Sequence, residues 1–396
     1  MKSIKKISAL LLVLLMCLSV AACDRAPRTS TAQWGFRAGD TEYPIGTYIF
    51  PLVNAYNYAY SYLSYELGDE FDKDASILDL ESSFDEAGKL YTAREYVLKQ
   101  AEDYMKYMIA IDLVSKETGA EPSQEAVDNA TEQARLDWYL GDINGEMSGY
   151  AEALPSKDTY EEYGVSYDSY YRAVYLSGRK GIKHDAIFSR LYGKGGEKAV
   201  SEEEVTEHFE KNYTAYYFFV SPLYETTVDD TTGEQVTSPY SDKKTNEIKK
   251  KLASYVDMIK EGKSMVDVEM DYIEYASVTS DAFSFRIEKY DDVKSSLAEE
   301  IEKALRGMKE KQAQVVYMGL ENSPIAVFVY KDTIEDKAKD IIGNETDRMT
   351  LVRDLKDKEY SDYLVSKAEE VSFEINEDML EKFTPEYVEK IYKSNL

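Results

Sequence analysis

The chain turns on residues 201–221, Ser201-Glu202-Glu203-Glu204-Val205-Thr206-Glu207-His208-Phe209-Glu210-Lys211-Asn212-Tyr213-Thr214-Ala215-Tyr216-Tyr217-Phe218-Phe219-Val220-Ser221. Ser201 stands three residues before Glu204, the spacing at which each side chain satisfies a backbone N–H left unpaired at a helix start. Val205, His208, Phe209 and Asn212 follow at helical spacing. From Tyr213 the pattern changes, and the aromatic and β-branched run Tyr216 to Val220 suits a buried strand. A short capped helix thus hands over directly to a strand. Upstream the pattern is helical throughout, and downstream it mixes helices and strands. The stretch is a seam between domains.

Working upstream, Trp34-Gly35-Phe36 and Ile45-Gly46-Thr47 read as a short extended lead-in. A tyrosine-rich helix starts at Tyr48, with Tyr58, Tyr62 and Tyr65 along one face. Tyrosine joins an apolar ring to a polar tip, so such a stripe serves as core or as binding surface. Helical aromatic stripes usually pack against neighbours, which makes core the expectation here. Residues 67–90 are acidic and loop-like. A strong helix at 91–117 carries Val97, Ala101, Tyr104, Met105, Met108 and Ile111 or Ile109, and Gly119 and Pro122 stop it. Ser123 caps the next helix, which includes Trp138, and further helices follow from Tyr160 to Tyr192. Gly193-Lys194-Gly195-Gly196 lacks the phosphate-loop pattern and follows no strand.

Downstream, Tyr224 to Ser241 reads as a hairpin or flap, 243–261 as an amphipathic helix, and 264–271 as a second short helix. A strand at 282–287 and a helix through Leu297, Ile301, Leu305 and Met308 come next. Strands at 313–318 and 325–330 are joined through Gly319 to Pro324. From Ile334 the chain returns to helix, with a short strand expected at 371–375. No internal repeat is evident.

This order, together with the seam, resembles the PrsA/SurA-type extracytoplasmic foldases, in which a helical chaperone domain leads into a parvulin-type prolyl isomerase module. Val205–Asn212 resembles the family's lead-in helix and Ala215–Ser221 its first parvulin strand. The resemblance implies an α+β, mostly α protein. It places a helical SurA-N-like chaperone domain at 34–212 and inserts a parvulin-like α/β domain with a four-stranded antiparallel sheet at 213–335. It also implies that 336–396 packs back on the chaperone domain.

The bulk composition bounds the function. The 396 residues suffice for two or three domains, and 43% hydrophobic with 13% aromatic residues fills real cores. A formal charge of −28 argues against nucleic acid, because neutralising phosphates needs clustered Lys and Arg. An acidic surface aids solubility and suits basic or hydrophobic clients. The two histidines exclude a His-rich metal site, and no cofactor motif is present.

Cys17 and Cys23 are the chain's two cysteines, so no disulfide framework lies in its body. Lys2, Lys5 and Lys6 form a basic leader start, and Leu10 to Leu18 an apolar run too short for an ordinary spanning helix. It ends in Val20-Ala21-Ala22-Cys23, which resembles a bacterial lipobox. Residues 1–22 are therefore expected to be a lipoprotein signal peptide, and Cys23 the lipidated residue opening a tether over 23–33. An extracytoplasmic protein held at the bacterial cell membrane follows, since two or more acyl chains anchor stably.

Prolyl isomerisation breaks no bond; it needs a hydrophobic cup and polar groups that favour the twisted amide, over a barrier of about 18–20 kcal/mol. Parvulins resemble one another in two histidines, one on the first strand and one on the last. Here the first falls at Tyr217 or within one residue, and the second near Ile325 or Ala326; neither position is His, and no His follows His208. The resemblance thus implies a module without efficient isomerase activity and no catalytic residues. Its pocket would persist as a hydrophobic surface around Tyr217, Phe219, Phe283, Phe285 and Phe328, which strand alternation equally makes core. His208 reads as a packed residue and His184 as a solvated one. The function implied is a membrane-anchored chaperone or foldase that binds unfolded secreted polypeptides. The alternatives are an active isomerase using tyrosine hydroxyls, and a surface or substrate-binding lipoprotein with no chaperone role.

Overall fold

The computed structural model describes residues 33–84, 88–141, 156–228 and 233–395. It divides into two compact units, one running to Lys198 and resuming at Asp357, the other Ala199–Lys356.

The first unit opens with strands β1 (Trp34–Ala38) and β2 (Thr41–Pro44), turned at Gly39 with φ 57°. Helix α1 (Gly46–Leu67) follows. A two-stranded ribbon of β3 (Glu81–Ser82) and β4 (Tyr91–Thr92) leads into α2 (Ala93–Thr118). Helix α2 starts in a capping box of Thr92 and Glu95 and ends on Gly119 in the left-handed conformation. Helix α3 (Gln124–Leu140) is capped by Ser123. Short helices α4 (Ser156–Tyr160) and α5 (Tyr167–Tyr171), a π turn (Arg172–Leu176) and α6 (Ile182–Tyr192) complete this stretch. Val97, Ala101, Met105, Met108, Ile109 and Ile111 of α2 are all buried, so both candidate isoleucines face inward.

The tyrosine stripe of α1 does not. Tyr58 is 48% and Tyr65 90% exposed, whereas the core takes Tyr48, Ile49, Leu52, Val53, Tyr56, Ala59, Tyr60 and Leu63. The helix is apolar nearly all round, and the face that carries Tyr48, Tyr56 and Tyr60 together with the aliphatic residues takes the interior. The outward tyrosines pack sideways on one another instead. Tyr58 lies 6.0 Å from Tyr62 and 5.8 Å from Tyr96, with Phe84 beneath, 4.7 Å from Tyr96. His184, which the sequence pattern places in solvent, is half-buried instead, its ring edge-on to Tyr360 at 4.8 Å.

In the second unit α7 (Glu202–Asn212) carries the capping box read from the sequence: the Glu204 N–H donates to Ser201 Oγ at 3.1 Å and the Ser201 N–H to Glu204 Oε2 at 3.0 Å. It hands directly to β5 (Tyr213–Pro222). A hairpin of β6 (Tyr224–Val228) and β7 (Gln235–Pro239), helices α8 (Asp242–Lys260) and α9 (Met265–Ala276), and β8 (Ser284–Lys289) follow. Then come α10 (Tyr290–Ser296), α11 (Glu299–Gly307), β9 (Gln312–Leu320), β10 (Ser323–Lys331) and α12 (Glu335–Gly343). The sheet runs β8-β5-β10-β9, every pair antiparallel. Strands β9 and β10 are longer than the sequence pattern suggests. They leave only Glu321 and Asn322 in the turn, with Gly319 at φ 105° where a Cβ would meet the Ser323 carbonyl oxygen at 2.7 Å.

Side chains alternate across this sheet. One face packs Tyr216, Phe218, Val327, Val329 and Val316 against Val293, Ile301 and Leu305 of α10 and α11. The other packs Phe219, Ala326 and Phe328 against Leu252, Tyr255, Val268 and Tyr272 of α8 and α9.

Helix α13 (Glu345–Glu369) starts in the second unit and ends in the first. Strand β11 (Glu374–Ile375), shorter than the expected 371–375, pairs with β1 to make the sheet β11-β1-β2. After α14 (Glu377–Leu380), α15 (Pro385–Ser394) sets Tyr392 on Tyr56 and Tyr60, with centroids 5.3 and 4.7 Å away. The fold is α+β and mostly helical, with one four-stranded antiparallel sheet among smaller ones.

Candidate functional site

The five aromatic residues singled out from the sequence share one side of the four-stranded sheet but fall into two groups. Phe219 stacks on Phe328 at 5.0 Å and lies 4.6 Å from Phe283 and 4.0 Å from Tyr272. Phe219 and Phe328 have almost no exposed surface. They are core, closed over by α8 and α9, and present no surface to a client; Phe283 is half-buried beside them. Sequence alternation points to this side of the sheet but does not show that Tyr255 and Tyr272 arrive from the helices to seal it.

The second group is open. Tyr217 lies 4.6 Å from Phe285 and 6.2 Å from Tyr330, and Phe285 is 40% exposed. Lys337 from α12 reaches over the Phe285 ring at 5.3 Å. Partial burial, with the charge of Asp332, raises the Tyr330 hydroxyl above its ordinary pKa, and like any tyrosine below about 10 it is protonated and able to donate at neutral pH.

The strand register bears on the two histidine positions. Tyr217 pairs with Tyr330, whereas Ile325 pairs with Pro222 and Ala326 with Ser221. Tyr217 and Ile325 therefore sit at opposite ends of the ladder, and the side-by-side pairs are Tyr217 with Tyr330 and Ser221 with Ala326. No imidazole stands on either central strand.

The histidine that does sit near the sheet is His208, at the end of α7. Its Nε2 is 2.7 Å from Asp354 Oδ2, and the Asn212 side-chain amide lies 3.0 Å from its Nδ1. With an ionised Asp354 accepting and the amide donating, this pattern selects the Nε2–H tautomer. Tyr213 donates to the same carboxylate at 3.2 Å, and Lys289 at the end of β8 pairs with its other oxygen. Burial pushes the Asp354 carboxyl up, but the hydrogen bonds from Lys289 and His208 outweigh it and hold it below the usual range. The helical spacing around His208 predicts a packed residue; its ionic partner, 146 positions away, has no sequence signal.

The first unit holds its own buried carboxylate. Asp112 of α2 accepts from Tyr43 at 2.9 Å, Ser177 at 2.6 Å and Lys183 at 2.6 Å, with Arg172 3.8 Å away. Burial, with this charge beside it, pushes the Tyr43 hydroxyl well up. Three hydrogen bonds and a nearby guanidinium thus converge on one buried carboxylate, a structural hub. Among the described residues no group of three His, Cys, Asp or Glu is placed to hold a metal, and no helix is long and apolar enough to cross a membrane. Cys23 and residues 1–32 lie outside the described residues.

The chain is thus of the α+β class, with an aromatic-lined antiparallel sheet that carries no histidine on its central strands. No protein-family model and no curated protein matches its sequence. Among solved structures it is similar to foldase protein PrsA from Streptococcus pneumoniae, over 72% of this chain and 90% of that one, at 11% identity and a TM-score of 0.30. At that distance the likeness carries no weight for fold or function, which rest on the residues described above.

Proposed function

We propose that the chain is a membrane-anchored extracytoplasmic chaperone that holds unfolded secreted polypeptides, with a parvulin-like module that does not catalyse isomerisation. The observation that carries the reading is the pair of exposed tyrosines Tyr58 and Tyr65 on one face of α1, with the half-buried Tyr62 between them resting on Phe84. Exposed tyrosines of this kind bind apolar segments at low entropic cost. The seam at 201–221 and its resemblance to the foldase family support the same reading. The first unit, up to Lys198 and from Asp357 on, would be the chaperone domain and Ala199–Lys356 the inserted module, so the seam helix and residues 336–356 go with the module rather than with the chaperone domain as the sequence suggests. Cys23, acylated after removal of 1–22, would hold the protein at the bacterial cell membrane outside the cytoplasm, as the resemblance to a lipobox implies.

The absence of histidine from β5 and β10 argues against catalysis of the parvulin kind. Refolding of a proline-limited, aggregation-prone protein in the presence of the chain tests both halves at once. A higher soluble yield with an unchanged slow phase is expected; an unchanged yield would overturn the chaperone reading.

One observation favours a second reading. The rings of Tyr217 and Tyr330 adjoin on neighbouring strands, and the Tyr330 hydroxyl stays protonated, so the pair offers donors to a twisted amide. An active isomerase would accelerate the slow phase, and Tyr217→Phe would reduce that acceleration severalfold.

A further inference from the structure

The sheet of the second unit has two edges, and they are guarded unequally. Strand β8 carries Arg286, Glu288 and Lys289, with Arg286 and Glu288 3.7 Å apart and Lys289 tied to Asp354. Charges on an edge strand discourage the addition of another strand. Strand β9 carries no charge of its own, although Lys249 of α8 reaches over its Tyr317 ring at 5.0 Å. Its nine residues, Gln312-Ala313-Gln314-Val315-Val316-Tyr317-Met318-Gly319-Leu320, include no charge and no proline. Among the described strands only β10 pairs with it.

A groove of about 840 Å³ runs along this edge. It is lined by Gln312, Ala313, Gln314 and Val315 in succession, which takes in both faces of the strand, so the backbone edge itself forms the wall. Val256 and Ile259 of α8 stand across from it. At the head of the strand Lys311 is held at φ 61°, a conformation that lysine rarely adopts, while its N–H donates to the Lys331 carbonyl oxygen.

We propose that β9 is a docking edge for an extended, uncharged segment of an unfolded polypeptide. The segment adds as a fifth strand, its backbone hydrogen-bonded to β9 and its alternate side chains seated in the groove. A row of outward N–H and C=O groups is matched by an extended peptide backbone. Charge decides which one. The charged residues of the groove balance, Asp257 and Glu310 against Lys260 and Lys311, with Asp257 paired to Lys260 at 2.9 Å, so a wall of no net charge meets a neutral segment. A second copy of this chain would bring a formal −28 against −28. The source of the segment rests on the chaperone reading above; the geometry of the edge does not.

The test is backbone hydrogen exchange of the full chain, with a capped nine-residue peptide of alternating valine and threonine as the probe. Amides within 312–320 are expected to slow at least tenfold in an alternating pattern, while those of 284–289 stay unchanged. Gln314→Lys, at an exposed position, is expected to weaken peptide binding at least tenfold with thermal unfolding unchanged, and Gln314→Thr to retain it. No slowing at millimolar peptide would overturn the proposal, as would slowing at β8. Slowing of β9 that needs no peptide and grows with protein concentration would assign the edge to a second copy and overturn it too. Aggregation suppression measured in parallel separates the two readings. Suppression without a response at β9 removes the docking edge alone, and a response at β9 without suppression removes the chaperone alone.

Discussion

Asp354 is a carboxylate that its neighbours keep ionised against the effect of burial. Its folded pKa is depressed, so its contribution to stability is present above the unfolded value, about 3.9, and is lost as pH falls through the folded one. Thermal stability of the second unit is therefore expected to fall below about pH 4, and Asp354→Asn to flatten that acid limb. An acid limb unchanged in the variant would remove Asp354 as its cause. Asp112 makes a harder demand, because its loss strands Lys183 and Arg172 around an empty partner. Asp112→Ala is expected to cost about 3–5 kcal/mol in denaturant unfolding. Neither carboxylate is legible in the sequence. Each looks like one more acid on a helix among 75 Asp and Glu, and only folding brings its partners to it. The fate of Phe219 is half legible: alternation fixes which side of the sheet it takes, but not that Tyr272 covers it. Phe219→Ala is expected to cost about 3–5 kcal/mol as a core cavity, where a client-binding aromatic would unfold normally.

At the scale of elements the sequence speaks more clearly, because helix ends and strand periods are local chemistry. The Ser201 and Glu204 box stands where the spacing puts it, and Ser201→Ala is expected to destabilise the second unit by about 1 kcal/mol in denaturant melts. Gly119 ends α2 in the left-handed conformation for the same kind of local reason. What periodicity does not resolve is competition between two apolar faces of one helix. In α1 both faces are rich in large side chains, and the choice between them depends on α2 and α15, far along the chain. The outward stripe gives the prediction proper to this scale. Tyr58→Ser with Tyr65→Ser is expected to lower the soluble yield of a refolding client severalfold, with Tyr65→Ser alone leaving the chain's own melting unchanged and Tyr58→Ser costing about 1 kcal/mol through its ring contacts. An unchanged yield would mean that the stripe does not bind.

At the scale of the molecule the first unit is discontinuous. Tyr56 and Tyr60 lie under Tyr392, and the Glu389 carboxylate accepts from Ser76 at 2.8 Å and from the Ile77 N–H at 3.0 Å. Truncation after Glu369 strips these partners, and near-ultraviolet circular dichroism is expected to show the tyrosine core loosened while the second unit's β-sheet remains.

The pairing of the first strand with the last also orders events in time. Arg37 meets Glu374 across 337 positions of chain, whereas the four-stranded sheet is complete once Lys331 has emerged. A polypeptide threaded N-terminus first through a membrane would present the finished sheet while the unit before it still waited for its closing strand and helix. Until the final dozen residues cleared the pore, the nascent protein would itself be a partly folded chain of the sort it is proposed to hold.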